Sequence, residues 1–324
     1  MEWPSEFLEI VEGIKTMRIR GAGKIGREAA RGLKIVANWA EGRNADEFME
    51  VLKKAARELL ETRPTAVSLP NSIRYVLKHS FAAYEAGGNV DDIKAETTRA
   101  ADEFIENSLK ALDVIGEIGA KRIEDGDLII THCNSQAVLS IFRKAKEMGK
   151  EFSVIATETR PRFQGHLTAE AVAKMGIPCQ LIVDSAARFF MTKVDKMIVG
   201  ADTIAANGAV VNKIGTSLLA LAAHEARVRV YVAAETYKFS PETMHGELVV
   251  IEERDPLEVV DKKWMEEHPG VVVRNPAFDV TPPEYIDIII TEKGVIPPQG
   301  AILLMKEEFG WGMGEADILR KIYG

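Results

Sequence analysis

From Lys121 onward the chain alternates short apolar runs with stretches of helical period, and this alternation constrains its fold more than any other feature. The runs are Leu128-Ile129-Ile130, Phe152 to Ala156, Gln180 to Val183, Met197-Ile198-Val199, Val228 to Val232 and Ile286 to Ile290. Near-continuous apolar strands separated by helices must be buried on both faces. That predicts a parallel sheet covered by helices on both sides, the Rossmann-like, doubly wound α/β class. Before Lys121 strand signals are nearly absent. Phe7, Ile10, Val11 and Ile14 form one helical stripe, and Phe48, Val51, Leu52, Ala55 and Leu59 another. The expected organisation is a helical N-terminal domain over residues 1–120 and a Rossmann-like doubly wound parallel-sheet domain over 121–324, in a chain long enough for two cores.

Sheets of this class bind ligands beyond the carboxyl ends of their strands. The residues that follow the runs are Thr131-His132-Cys133, Thr157-Glu158-Thr159-Arg160, Asp184-Ser185, Gly200-Ala201-Asp202, Glu235-Thr236-Tyr237-Lys238 and Thr291-Glu292. A thiol, carboxylates and cations therefore share one rim, as in a crevice built for chemistry.

Bulk composition narrows the partner. With 41 basic and 49 acidic residues the net charge is −8, which argues against a nucleic-acid surface and leaves room for a local basic pocket. No apolar run approaches a membrane span, and Met1-Glu2-Trp3-Pro4-Ser5-Glu6 lacks the regions of a signal peptide, so a cytoplasmic location and no membrane partner are expected. Cys133 and Cys179 are expected as free thiols, and neither belongs to a Cys-x-x-Cys metal pair.

Cys133 stands where a strand ends and a helix should begin. Helix N-terminal amides lower a thiol's pKa and bind anions, which favours a reactive Cys133, although cysteine is also a common small core residue. Cys179 enters its strand from the opposite end and reads as structural. His132 adjoins Cys133, but neighbours at a strand end point to opposite sides, which disfavours a Cys–His pair. Asp202 follows two small residues that permit close approach. Removed from water, its carboxyl would keep a proton for general acid work; capping a turn is its ordinary alternative. Asn212-Lys213-Ile214-Gly215-Thr216 reads as the opening of a helix that runs to about Arg227, where amides, Asn212 and Lys213 suit a phosphate or hydroxyl.

In the helical part, Gly21-Ala22-Gly23-Lys24-Ile25-Gly26 matches the glycine string of dinucleotide sites, but no strand pattern precedes it and that reading is rejected. Two readings stay open: a phosphate-binding turn opening a helix at Ile25, with charge from Arg20 and Lys24, or a plain connection between helices. Arg63-Pro64 with Leu69-Pro70-Asn71 marks a second break. Arg63 and Arg160 each precede a proline, which holds the backbone extended, and a guanidinium so fixed suits phosphate; a surface ion pair is the commoner use of an arginine. Lys238 is a further cation. One base, one acid and several cations suit a small phosphorylated substrate in acid-base chemistry without a metal or cofactor.

Arg20-Gly21-Ala22, Thr131-His132-Cys133-Asn134, Glu158-Thr159-Arg160-Pro161, Gly200-Ala201-Asp202, Asn212 to Thr216 and Asn275-Pro276-Ala277-Phe278-Asp279-Val280-Thr281-Pro282 occur together in this order. In that combination the chain resembles the superfamily of initiation factor 2B regulatory subunits and aldose-1-phosphate isomerases, over almost its whole length. In the isomerases a Cys after the first strand and the Asp of Gly-Ala-Asp are the catalytic pair, which implies those roles for Cys133 and Asp202. The non-enzymatic exchange-factor subunits usually lack that pair. The methylthioribose-1-phosphate isomerases typically read Arg-Gly-Ala-Pro where this chain has Arg20-Gly21-Ala22-Gly23, and they lack Tyr237-Lys238-Phe239. The resemblance thus implies the archaeal ribose-1,5-bisphosphate isomerases, with methylthioribose-1-phosphate isomerase or an exchange-factor-like subunit as the alternatives. It further implies a place in AMP salvage and a homo-oligomer, dimeric through the second domain and hexameric as a trimer of dimers.

Substrate contacts are expected from Arg20, Gly21, Ala22, Gly23, Arg63, Ser135, Gln136, Arg160, Asn212, Lys213 and Lys238, since a bisphosphate needs cations at each end. Asp202 would protonate the sugar ring oxygen while Cys133, as thiolate, takes the C2 proton to give an enolate phosphate.

Overall fold

The computed structural model describes residues 2–40, 44–63, 67–246, 248–309 and 316–323. Helices α1 (Ser5–Lys15), α2 (Ala22–Trp39), α3 (Ala45–Thr62), α4 (Ser68–Glu85) and α5 (Val90–Ala120) come first. The chain continues through β1 (Leu128–Thr131), α6 (Gln136–Glu147), β2 (Ser153–Thr157), α7 (Gln164–Lys174), β3 (Cys179–Ile182) and α8 (Ala187–Phe190). Next come β4 (Lys196–Gly200), β5 (Thr203–Ile204), β6 (Val210–Lys213), α9 (Thr216–Ala226), β7 (Arg229–Ala233) and α10 (Lys262–Glu267). Strands β8 (Phe278–Thr281), β9 (Ile288–Thr291) and β10 (Gly294–Ile296) precede α11 (Ala301–Phe309) and α12 (Ala316–Tyr323). Among the described residues no helix is long and apolar enough to cross a membrane.

Two compact units result. The first comprises Met1–Ala111, Tyr237–Gly246 and Leu303–Gly324; the second comprises Leu112–Thr236 and Glu247–Ile302. The sequence reading placed a single cut near residue 120, whereas the division falls inside α5 and two later segments join the helical unit. Tyr237–Gly246 does so for a visible reason. Asn71 of α4 donates from Nδ2 to the carbonyls of Tyr237 and Phe239, each at 2.8 Å, and Arg74 pairs with Glu242.

In the helical unit, α2 buries Ile25, Ala29, Leu33 and Val36 at helical spacing, and they pack with Phe7, Phe48, Leu52 and Ile73. A fully buried Leu33 contributes about 2 kcal/mol of transfer free energy. Helix α3 starts at Asn44, whose side chain accepts the Glu47 N–H at 2.9 Å. Helix α4 takes in Leu69-Pro70-Asn71, so the break expected there ends earlier; Pro70 lies in the first turn, where its missing N–H costs nothing.

The second unit is doubly wound. Its seven-stranded sheet has the order β10-β9-β7-β4-β1-β2-β3, and every pair is parallel except β9 with the edge strand β10. The six parallel strands are the six apolar runs of the sequence. Ile129, Val154, Ile198, Tyr231 and Ile290 form their shared core with Ile141 and Phe142 of α6. The chain winds outward from β1 to β3, returns to β4 beside β1, and winds the other way through β7 and β9. Right-handed crossovers then require helices on both faces, and the crevice opens where the direction reverses, between β1 and β4.

A second sheet, antiparallel in the order β5-β6-β8, was not anticipated. It corrects one expectation: Asn212 and Lys213 lie on β6, paired with Asp279 and Phe278, and the helix begins only at Thr216. The strands have two to four residues, too few for a period to show.

Candidate active site

Strand β1 delivers His132 and Cys133 to the switch point. His132 is buried; Nε2 lies 2.8 Å from the Ile214 carbonyl and Nδ1 lies 2.6 Å from the Thr157 hydroxyl. A carbonyl only accepts, so Nε2 carries the proton. Burial pushes the imidazole pKa down, which leaves Nδ1 to accept from Thr157. The ring thus ties β1, β2 and the turn after β6 together and is spent on structure, as the strand-end alternation implied.

Cys133 is half-buried and left-handed, with φ 67°. For a residue with a Cβ that conformation costs roughly 1–2 kcal/mol. It is held at both peptide groups: its N–H donates to Thr159 Oγ1 at 2.9 Å, and its carbonyl accepts from Thr168 Oγ1 at 2.7 Å.

The electrostatics of the thiol correct the expectation. Burial pushes Cys133 up to about 11, not down; Asp202 raises it further, while Lys213, the Asn134 N–H and Arg254 oppose the rise. Withdrawal from water outweighs what one amide and two cations return.

Asp202 follows β4, the strand beside β1, and is half-buried, with its N–H on the Val211 carbonyl at 2.9 Å. Gly200, two residues earlier, has no room for a side chain: a Cβ there would lie 2.4 Å from Ser135 Oγ. Ser135 is also the N-cap of α6, where its hydroxyl accepts the Val138 N–H at 3.4 Å. Gln136 opens that helix and is exposed.

Across the small sheet, Lys213 is buried. Its ammonium donates to the Ala277 carbonyl at 2.9 Å and lies 4.5 Å from the centroid of Phe278. Burial and then Arg254 push its pKa down. Arg254 was missed by sequence reading: its guanidinium lies 5.6 Å from the same ring and pairs with Glu252 at 2.8 Å. Asn212, also buried, spends its amide on Thr216 Oγ1 at 3.0 Å. The N-terminal amides of α9, expected to be open to a ligand, are occupied. Asp279 accepts from the N–H groups of Gly215 at 2.7 Å and Ser217 at 3.1 Å. Arg160 is exposed, lies 5.2 Å from the ring of Phe163 and donates to the Val259 carbonyl at 3.3 Å.

The remaining sequence-predicted residues lie in the helical unit. Gly21 is the N-cap of α2, with Ala22 and Gly23 in its first turn, so the helix opens three residues before Ile25, and it follows a helix instead of a strand. Arg20 is exposed, Arg63 caps the C-terminus of α3, and Lys238 is buried in the turn after β7. Pro64, which would stiffen Arg63, lies outside the described residues.

Residues 18–298 match the model of the initiation factor 2 subunit family. The chain belongs to that family. The protein named Ribose 1,5-bisphosphate isomerase from Thermococcus kodakarensis is 56% identical over 95% of this chain and 96% of its own length. The Methylthioribose-1-phosphate isomerase of Pelotomaculum thermopropionicum is 40% identical over 91% of this chain and 84% of its own. A solved structure, described as the Pyrococcus horikoshii OT3 translation initiation factor eIF-2B, superposes with a TM-score of 0.79 at 36% identity, covering 93% of this chain and all of that one. The family fold and the parallel sheet flanked by helices agree with the sequence reading.

Proposed function

We propose that this family member is an aldose-ketose isomerase converting ribose 1,5-bisphosphate to ribulose 1,5-bisphosphate, with Cys133 as base and Asp202 as acid. The observation that carries the reading is the position of these residues, just past the carboxyl ends of β1 and β4, the adjacent strands between which the chain reverses direction. The greater identity to the relative named for the bisphosphate than to the one named for methylthioribose 1-phosphate favours that substrate.

The C1 oxygen of an aldose 1-phosphate is esterified, so the ring cannot open to a free aldehyde. Cys133 takes the C2 proton, and that electron pair forms a C1–C2 double bond as the bond from C1 to the ring oxygen breaks. Asp202 gives its proton to the departing oxygen. The C2 hydroxyl then loses a proton and C1 gains one, which yields the ketose. Burial, which pushes the Cys133 thiol up to about 11, favours a proton on its sulfur. Passing it from Cys133 to Asp202 creates the reactive pair without changing the net charge beside Lys213 and Arg254.

On the sequence argument, Arg20, Gly21, Ala22, Gly23, Arg63 and Lys238, with Arg160 and Lys213, bind phosphate, and Ser135, Gln136 and Asn212 hold hydroxyls. The same reading makes the protein a cytoplasmic homo-oligomer in AMP salvage, a trimer of dimers.

The test is direct. Purified protein is given ribose 1,5-bisphosphate or methylthioribose 1-phosphate and the products are identified. Ribulose 1,5-bisphosphate is the expected product; turnover of the methylthio sugar alone, or of neither, overturns the reading. In deuterated water, label at C1 supports proton transfer, and Cys133→Ser with near wild-type turnover removes the base.

A further inference from the structure

Cys133, Thr159 and Phe163 are the non-glycine residues with positive φ in the turns after β1 and β2, and Thr159, at φ 62°, is bonded to the Cys133 backbone. The hydroxyl of Thr159 accepts the Cys133 N–H at 2.9 Å and donates to the Thr157 carbonyl at 3.2 Å, so both its roles are filled. Its own N–H is fixed by Asp184 Oδ1 at 2.8 Å. On the other side of Cys133, the Thr168 hydroxyl donates to the carbonyl at 2.7 Å. Both threonines are fully buried.

The reach of Thr168 depends on how close α7 comes to β2. A Cβ at Gly165 would lie 1.7 Å from the Thr157 carbonyl oxygen, so only glycine permits the approach. One helical turn later, Thr168 meets Cys133. Neither threonine belongs to the acid-base pair.

We propose that Thr159 and Thr168 are positioning residues for Cys133: by gripping its N–H and its carbonyl they hold the thiol-bearing residue in the left-handed conformation the chemistry uses. This rests on the reading of Cys133 as the base. An L-residue released from such a grip relaxes to negative φ, which swings the side chain away from its working place. The groups that act on the thiol there come from four places: Asn134 on its own turn, Asp202 after β4, Lys213 on β6, and Arg254 in the stretch before β8. All four relations depend on where the Cys133 backbone is set.

The test separates the hydroxyl from the bulk of the side chain. Thr168→Val keeps the shape and loses the donor; Thr168→Ser keeps the donor. The expected result is a fall in kcat of about 10²-fold for Thr168→Val with KM within about twofold, and recovery of most of that loss in Thr168→Ser. The second readout needs no turnover. Iodoacetamide modification of Cys133, followed by peptide mapping to separate it from Cys179, should slow several-fold in Thr168→Val between about pH 8 and pH 10 and match wild type in Thr168→Ser. The Thr159→Ala and Thr159→Ser pair repeats the comparison from the N–H side should Thr168→Val fail to fold. Wild-type modification rates and kcat in the variants without hydroxyls overturn the proposal. If Cys133→Ser proves fully active, the base reading fails by itself, while the modification rates still decide whether the grip exists.

Discussion

Asp279 Oδ2 accepts the backbone N–H of Gly215 at 2.7 Å, so a carboxylate already sits on the amides that open α9. Burial pushes this carboxyl up to about 6 from its ordinary 3.8, against the pull of the Gly215 and Ser217 amides and of Lys213. At this carboxyl the folded chain therefore binds more protons than the unfolded chain between about pH 4 and pH 6, and the group's contribution to stability falls as pH rises through that window and is level above it. Asp279→Asn keeps an acceptor for Gly215 and removes the titration. Relative to wild type, the variant should gain about 2–3 kcal/mol between pH 4 and pH 7 in denaturant unfolding. A difference that stays constant with pH contradicts this.

Two measurements on Cys133 should diverge. Alkylation needs only the thiolate, so its rate should rise close to tenfold per pH unit from about pH 7 towards the value of about 11 set chiefly by burial. Turnover needs thiolate and acid together, and that pair carries the same single proton as thiol and carboxylate. Accordingly kcat/KM should stay level over about pH 7 to pH 10. A tenfold rise per unit in both would mean that Asp202 is not the proton donor.

Arg254 and Lys213 share the ring of Phe278, and each favours the thiolate of Cys133. Replacing Arg254 by Gln removes one positive charge, but it also relieves Lys213 of the neighbour that pushes its own pKa down. The two effects oppose each other. The net expectation is a three- to tenfold slower alkylation of Cys133, about half to one pKa unit, with Arg254→Lys nearer to wild type. Faster alkylation in Arg254→Gln would show that Arg254 acts through Lys213 alone.

What could be read beforehand follows from which interactions are local. The six parallel strands were legible because each is a self-contained apolar run, and the rim residues followed from the rule about strand ends. Strand β6 was not, since its local partner β5 has two residues and its longer pairing, Val210 with Thr281 and Val211 with Val280, comes from some seventy residues later. Arg254 stands in Ile251-Glu252-Glu253-Arg254, which looks like solvated surface; its one signal was proximity to the Asn275 to Pro282 motif. The direction of the Cys133 shift was illegible for the same reason. The amide at the helix start is visible in the sequence, whereas the burial that overrides it exists only once the chain has folded around the strand end.

The left-handed backbone at Cys133 should be measurable as stability, apart from any catalytic readout. Cys133→Ala and Cys133→Gly both remove the thiol, and they differ in whether a Cβ is forced to φ 67°. Relief of that conformation favours glycine by roughly 1–2 kcal/mol. The added freedom of an unfolded glycine opposes it by roughly 0.5–1 kcal/mol. The difference favours glycine, so Cys133→Gly should be the more stable variant by up to about 1.5 kcal/mol in urea unfolding. The advantage should shrink in a Thr168→Val background, where the carbonyl of residue 133 is no longer held and the alanine variant is free to relax to negative φ. An alanine variant as stable as the glycine one in both backgrounds would show that the site carries no such strain.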